Sequence, residues 1–125
     1  MKSYKLTFGE IIILNESLAE VIVNEGVEMD EALVIEFHDF LLENLTAPFS
    51  LLINRKNSYS YTFGAQRLIG RLEEIKAVAV IIATSGALMS TETLINVNKD
   101  RNWNIYVFQK REKALEWIAK IGVPV

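Results

Sequence analysis

The 125-residue chain has no cysteine and a single histidine, and both scarcities narrow the chemistry that it can support. Without cysteine there is no disulfide framework and no thiolate nucleophile or ligand. His38 would need an acid and a nucleophile for triad chemistry, or further ligands for a metal, and its helical neighbours one turn away are apolar. We therefore expect no catalytic residues, no metal site and no cofactor, with His38 at the surface or at the boundary of the core.

Long apolar runs are absent as well. The longest, residues 11–14 and 77–83, are strand-sized and far short of the roughly 20 residues that a membrane-spanning helix needs. The first ten residues, MKSYKLTFGE, lack the apolar centre of a signal peptide. These features predict a cytoplasmic protein without a transmembrane segment.

Net charge is also low, at −3, which gives no general attraction to nucleic acid. The charges are unevenly distributed, however. The first 50 residues hold two basic and ten acidic side chains, whereas the rest of the chain holds eleven basic and six acidic ones. This asymmetry is either a by-product of separate solvated faces or a pair of complementary surfaces that join subunits or attract a charged partner.

Half of the residues are hydrophobic, enough for a buried core, and their spacing predicts alternating strands and helices. Three strands come first and are joined by short turns, which favours an antiparallel start: residues 4–8, 11–14 and 18–23. The later strands are residues 49–53, 77–83 and 103–108.

Four helices alternate with these later strands. The first begins after the cap Asp30 and ends before Pro48. The second spans about residues 63–75. The third is weaker and begins at a cap, Ser90 or Thr91, after a loop at residues 84–90. The fourth spans about residues 110–121. The order β-β-β-α-β-α-β-α-β-α predicts one α/β domain over residues 1–125, with a mixed sheet and parallel crossovers.

Three segments carry a resemblance to a known family. The strand NIYVF at residues 104–108 is followed by REKALEWI at residues 111–118, and the glycine-terminated strand 21–26 and the AVAV strand 77–80 fit the same pattern. In these segments the chain resembles the SpoIIAA-like domains, a bacterial branch of the STAS fold that is related to CRAL-TRIO lipid-binding domains. The resemblance covers nearly the whole chain and implies a STAS-like mixed sheet.

One role that the resemblance implies is non-enzymatic regulation through protein contacts, as in anti-sigma factor antagonists. Their switch serine, at the start of the second helix, is phosphorylated by a partner kinase. The matching segment here offers Ser58, Ser60 and Thr62 as phospho-acceptors, without an Asp-Ser pair. Thr62 also suits the simpler role of a helix cap. We take regulation through a protein partner as the leading interpretation.

The other implied role is that of a carrier for a small apolar or anionic ligand. Tyr59, Tyr61 and Phe63 alternate before the second helix and would line an apolar pocket, or simply close one end of the core. Ser85 and Ser90 lie in the small-residue segment after a strand, where ligands and anions tend to bind. That segment lacks the glycine spacing of a nucleotide site.

A basic cluster offers a surface for self-association. Arg67 and Arg71 lie one turn apart on the second helix, and Arg55 and Lys56 precede it. The complementary surface would be the acidic side of the first helix in a second copy, formed by Glu36, Asp39 and Glu43. We expect a protein partner or a homodimer, with a plain solvated face, a bound phosphate or an anionic lipid surface as the alternatives.

Overall fold

The computed structural model describes residues 1–101 and 104–122, which alternate between strands and helices after an all-strand start. The elements are β1 (Lys2–Leu6), β2 (Gly9–Asn15), β3 (Leu18–Val23), β4 (Glu28–Met29), α1 (Glu31–Asn44), β5 (Phe49–Asn54), β6 (Ser60–Tyr61), α2 (Phe63–Leu68), β7 (Ile75–Ile81), α3 (Ser85–Val97), a 3-10 turn (Lys99–Arg101), β8 (Ile105–Phe108) and α4 (Arg111–Gly122). The predicted α/β class with a mixed sheet is confirmed.

Six of the strands form one sheet in the order β1-β2-β3-β5-β7-β8. The first three pair antiparallel, and β3, β5, β7 and β8 pair parallel. Parallel neighbours need crossover connections, which α1, α2 and α3 supply. The two-residue strands β4 and β6 pair with each other outside this sheet.

The two faces of the sheet are covered unequally. Side chains alternate between faces along a strand, so Leu51 and Val80 join the large core beneath α1, α2 and α3. Their neighbours Leu52 and Ala79 face the other way and pack against Ala114 of α4. On that second face Glu20 of β3 is buried and accepts hydrogen bonds from Arg111 at 2.7 Å and from Asn54 at 3.1 Å. This polar group ties α4 to the centre of the sheet.

The first strand and its turn differ from the prediction. The strand is Lys2–Leu6 rather than residues 4–8, and Gly9 begins β2 instead of forming the turn. Gly9 pairs with Val23, and a side chain there would collide with the backbone of Ile22. The glycine is therefore needed for a close approach of β3.

The second helix is much shorter than predicted. It ends at Leu68, so residues 69–75 are not helical, and Ile75 already begins β7. Asn98 occupies the space beyond the helix end: its amide donates to the Gln66 carbonyl at 2.6 Å, and a side chain at Gly70 would lie 2.8 Å from it. The helix ends where Gly70 allows this approach.

The third helix begins earlier than predicted, so the expected loop at residues 84–90 is wrong. Thr84 is the cap, and its hydroxyl accepts the Ala87 N–H at 3.1 Å. Thr91, one of the two predicted caps, lies inside the helix and donates to the Ala87 carbonyl at 2.8 Å. The predicted strand start at Trp103 falls outside the described residues.

His38 is buried, not at the surface or boundary. Only 8% of it is exposed, its ring centre lies 5.6 Å from that of Phe37, and its Nε2 has no hydrogen-bond partner. The buried side of α1 comprises Val34, Phe37, His38 and Leu41, and α1 is also in contact with α2. Among the described residues, no helix is both long enough and apolar enough to cross a membrane.

The Glu20–Arg111 pair predicts a specific stability effect. Arg111→Ala leaves a buried carboxylate with only the Asn54 amide, so we expect a loss of about 1–3 kcal/mol in the free energy of unfolding, measured in urea. Lys113→Ala is the matched control, since its pair with Glu116 at 3.7 Å is exposed, and we expect a change within about 0.5 kcal/mol. Equal effects of the two substitutions would contradict this role of Glu20.

His38 predicts a pH dependence of stability. Burial lowers its pKa below the usual 6.5, opposed in part by the backbone of Ile69 and by Asp39 and Glu74. The unfolded chain therefore takes up the proton at higher pH than the folded chain does. The contribution of the neutral imidazole is complete above pH 6.5 and is lost as the pH falls through the folded pKa, by at most about 1.4 kcal/mol per pH unit.

Urea unfolding at pH 7 and pH 5 measures this effect. The free energy of unfolding of wild type should fall further between the two pH values than that of His38→Leu. Both proteins carry the same carboxylates, so their shared acid effects cancel in the comparison. Identical losses would show that His38 does not take up a proton on unfolding.

Candidate functional site

A cavity lies between the sheet and the helices α1 and α3. It has a volume of about 40 Å³, and its wall is mostly apolar, with Phe8, Val21, Phe37, Leu51, Val80 and Leu94 among the lining residues. Four residues with polar groups also line it: Arg55, Tyr59, Tyr61 and Thr91. We call this space the Tyr59 cavity. An apolar pocket with a few convergent polar groups is the usual form of a small-molecule site.

Arg55 follows the carboxyl end of β5 and folds inward rather than out into solvent. It is 6% exposed, and its backbone N–H donates to the Ile81 carbonyl at 3.0 Å. Its guanidinium donates from Nη2 to the Tyr59 carbonyl at 3.1 Å and lies 4.2 Å from the centre of the Tyr59 ring. The Nε atom has no partner, and no carboxylate of the described residues forms an ion pair with this side chain. A buried cation without a counter-ion is costly.

Tyr59 and Tyr61 form the aromatic part of the wall. Their ring centres lie 5.7 Å apart in an edge-to-face arrangement. The buried Tyr59 hydroxyl lies within reach of the Tyr61 side chain but makes no well-formed hydrogen bond to it or to any other described group. Burial raises the pKa of Tyr59, and burial also raises the pKa of Tyr61 well above its usual value. Both phenols are therefore neutral hydrogen-bonding groups near neutral pH.

A polar cleft of about 310 Å³ adjoins the cavity at the start of α3. Its lining residues come from the β3–β4 turn, the segment after β5 and the first turns of α3: Glu25, Arg55, Lys56, Asn57, Ser58, Tyr59, Ala83, Thr84, Gly86, Ala87 and Ser90. Arg55 and Tyr59 line both the cavity and the cleft. The two spaces therefore share a wall at the carboxyl ends of the parallel strands, where ligands of open α/β sheets usually bind.

The predicted ligand-binding residues are only partly brought together. Tyr59 and Tyr61 line the cavity, and Ser90 lines the polar cleft. Ser85 faces a different cleft, on the β8 side of α3. Phe63 is 74% exposed and belongs to neither space, because α2 begins at this residue and ends the strand-like alternation of the preceding aromatic residues.

The predicted phospho-acceptors lie in three different settings. Ser58 is exposed on the rim of the cleft, and its N–H donates to the Glu25 carboxylate at 3.0 Å. Ser60 is exposed in β6. The hydroxyl of Thr62 accepts the Ala65 N–H at 3.2 Å, so the prediction that Thr62 caps α2 is confirmed.

The members of the predicted charged interface lie in different settings. Arg55 is buried, and Arg71 forms an ion pair with Asp100 at 3.5 Å. Glu36 accepts a hydrogen bond from the Thr7 hydroxyl at 3.0 Å. The remaining members of the set are exposed: Asp39, Glu43, Lys56 and Arg67.

Sequence reasoning placed Arg55 on a surface and overlooked Glu25 as a site residue. From the small-residue segment that it proposed for ligand binding it selected Ser85 and Ser90, whereas Thr84, Gly86 and Ser90 line the polar cleft and Thr91 lines the cavity. The available signal was position, because Arg55 follows the carboxyl end of a buried strand, where the ligand-binding edge of a parallel sheet lies. Across residues 1–101 and 104–122 there is no group of three His, Cys, Asp or Glu side chains that could hold a metal ion.

The unpaired Tyr59 hydroxyl predicts a stabilising substitution. Tyr59→Phe removes a buried polar atom that has no partner, so we expect the free energy of unfolding of the ligand-free protein to rise by up to about 1 kcal/mol. Thermal and urea unfolding measure it. Tyr106→Phe is the control, since Tyr106 is exposed and should give no change. Destabilisation by Tyr59→Phe would indicate that the hydroxyl has a bonding partner in the free protein.

Comparison with known proteins finds no matching family model, no matching curated protein and no matching solved structure. The function is therefore inferred from the geometry of the site itself.

Proposed function

We propose that this chain is a non-enzymatic regulatory domain of the cytoplasm that acts by binding a small ligand in the Tyr59 cavity. One observation carries the proposal: the Tyr59 hydroxyl and the Arg55 Nε are buried, unpaired and adjacent to an apolar cavity. Buried polar groups in folded proteins are nearly always hydrogen-bonded. A bound molecule that offers an acceptor to these two groups would complete their hydrogen bonding.

The cavity suits a ligand with an apolar body and one polar end. Its volume of about 40 Å³ holds a few water molecules at most, so an organic ligand requires the wall to open. The part of the wall that lies outside the six-stranded sheet is the segment that carries Tyr59 and Tyr61. It is held by the two-residue pairing of β6 with β4 and by a few hydrogen bonds from its neighbours, among them Gly26 N–H to the Ser58 carbonyl at 2.7 Å and Arg55 Nη2 to the Tyr59 carbonyl at 3.1 Å. We propose that ligand entry displaces this segment.

The chemistry of the wall supports binding rather than catalysis. Both phenols are neutral near pH 7, and a guanidinium is not a base, so the wall supplies hydrogen-bond donors. The only histidine, His38, is buried on α1 and does not line the cavity. The mixed sheet with its helices also supports the proposed kinship with STAS-like domains. The related CRAL-TRIO domains bind lipids, which agrees with a ligand that has an apolar body.

A second candidate function is the regulatory protein contact that the resemblance implies. Ile35 and Leu42 are exposed and lie seven residues apart, hence on the same side of α1, near the exposed carboxylates of Asp39 and Glu43. An apolar patch with acidic neighbours favours a partner with apolar and basic groups, a second copy of this chain included.

A neutral amphiphile tests the cavity without involving charge. We expect 1-octanol to bind saturably in a titration followed by amide chemical shifts, with the largest changes around Tyr59 and Tyr61. Val80→Ile adds one methylene to the wall and should weaken octanol binding about fivefold by filling the space. Val97→Ile is the control, because Val97 does not line the cavity.

Absence of saturable octanol binding, or equal weakening by both substitutions, would contradict the proposed function. Native mass spectrometry of the same samples separates the two candidates. A monomer that retains added octanol supports the ligand-binding domain, whereas a dimer without octanol supports the protein contact through α1.

A further inference from the structure

We propose that the polar cleft beside the Tyr59 cavity is an oxyanion site in which the start of α3 and the buried Arg55 hold a carboxylate or phosphate group. The inference rests on the proposed function and names the chemical class of the ligand's polar end. Two independent features of the cleft carry it, and both belong to residues that the structure describes.

The first feature is the N-terminus of the 13-residue helix α3. Thr84 accepts hydrogen bonds from two of the first four N–H groups of the helix. Ala87 N–H donates to the Thr84 hydroxyl at 3.1 Å, and Leu88 N–H donates to the Thr84 carbonyl at 3.2 Å. Helix geometry provides no acceptor within the helix for the N–H groups of Ser85 and Gly86. Gly86 lines the cleft without a side chain, and a methyl group there would meet nothing closer than 4.0 Å. An anion can therefore approach the positive end of the helix dipole.

The second feature is Arg55, a cation that is more than nine-tenths buried and lines the same cleft. Its Nε has no hydrogen-bond partner, and the guanidinium donates to the carbonyl of Tyr59 and stacks on the ring of the same residue. A single cation–π contact does not offset the cost of burying an unpaired ion. The planar guanidinium fork matches carboxylate and phosphate oxygens, and either group would act as the missing counter-ion.

The rim of the cleft adds donors and one opposing charge. Lys56 adds a second positive charge, and Ser58 and Ser90 add hydroxyl groups. Glu25 is the acidic member of the lining, and its carboxylate already accepts the Ser58 N–H at 3.0 Å. The positive charges of Arg55 and Lys56 and the positive end of the α3 dipole together exceed the single negative charge of Glu25, so the cleft favours an anion. Glu25 also predicts a substitution that strengthens binding, because Gln keeps the acceptor for Ser58 and removes the repulsion.

Because Arg55 and Tyr59 separate the cleft from the apolar cavity, the two spaces can hold the two ends of one molecule. The oxyanion could be free phosphate or the head of an amphiphile with a short alkyl chain. Three probes distinguish these sources: inorganic phosphate, octanoate and octyl phosphate. If the apolar chain occupies the cavity, octyl phosphate should bind at least tenfold more tightly than inorganic phosphate.

Titration of the full chain with the three probes, followed by calorimetry and amide chemical shifts, tests the site. We expect the Ser85 and Gly86 amides to shift on binding. Arg55→Gln should weaken binding about tenfold or more, and Glu25→Gln should strengthen it about threefold. Arg67→Gln is the matched control: Arg67 is exposed on α2 and does not line the cleft, so its loss should leave the affinity unchanged.

Binding of none of the three probes, or equal weakening by Arg55→Gln and Arg67→Gln, would overturn the oxyanion site. If Arg55→Gln fails to fold, two other variants test the site. A lower affinity for the probes in Arg55→Lys and a higher affinity in Glu25→Gln would support the site, and an unchanged affinity in either variant would overturn it. Octanol binding without anion binding would leave the cavity function standing and refute only the oxyanion site. Anion binding without octanol binding would support the oxyanion site and refute the function proposed for the cavity.

Discussion

The contact between the buried guanidinium of Arg55 and Tyr59 is the interaction on which the architecture of the candidate site depends. Arg55 leaves the end of β5, bonds the Ile81 carbonyl through its backbone and holds the Tyr59 carbonyl with its side chain. These bonds fold the segment after β5 back over the edge of the sheet. The segment closes the apolar cavity on one side and forms the floor of the polar cleft on the other. A guanidinium placed here without a carboxylate is costly for folding alone, and a ligand anion would repay that cost.

The sheet positions this contact through its unequal coverage. The helices α1, α2 and α3 cover one face and enclose most of the core, whereas α4 covers the other face alone. On the second face the buried carboxylate of Glu20 is paired with Arg111. Glu20 therefore has a counter-ion, whereas the buried guanidinium of Arg55 lacks one among the described residues. The two buried ionic groups therefore differ in their bonding: Glu20 is paired and joins α4 to the sheet, whereas Arg55 keeps an unpaired Nε at the carboxyl ends of the parallel strands.

Much of the fold could be predicted from the sequence, since period-two and helical spacing are local signals. The caps Asp30 and Thr62 were predictable because a short oxygen-bearing side chain before a helical pattern has one common use. The start of α3 was not, because Ser85, Gly86 and Ala87 carry no apolar periodicity and resemble a loop. The burial of His38 and Arg55 depends on packing between segments distant in the chain, which no local pattern records. Tyr59 and Tyr61 could be proposed as pocket residues, but their separation from Phe63 required knowing where α2 begins.

The proposed site requires Arg55 to receive the polar end of the ligand. The most direct measurement is the NMR signal of the Arg55 Nε–H, which is separable from those of the backbone amides. With saturating octyl phosphate we predict a downfield shift of this proton and slower exchange with solvent, because the Nε–H would gain an acceptor. A signal unchanged in position and exchange rate would contradict the central claim and would leave Arg55 as a purely structural cation.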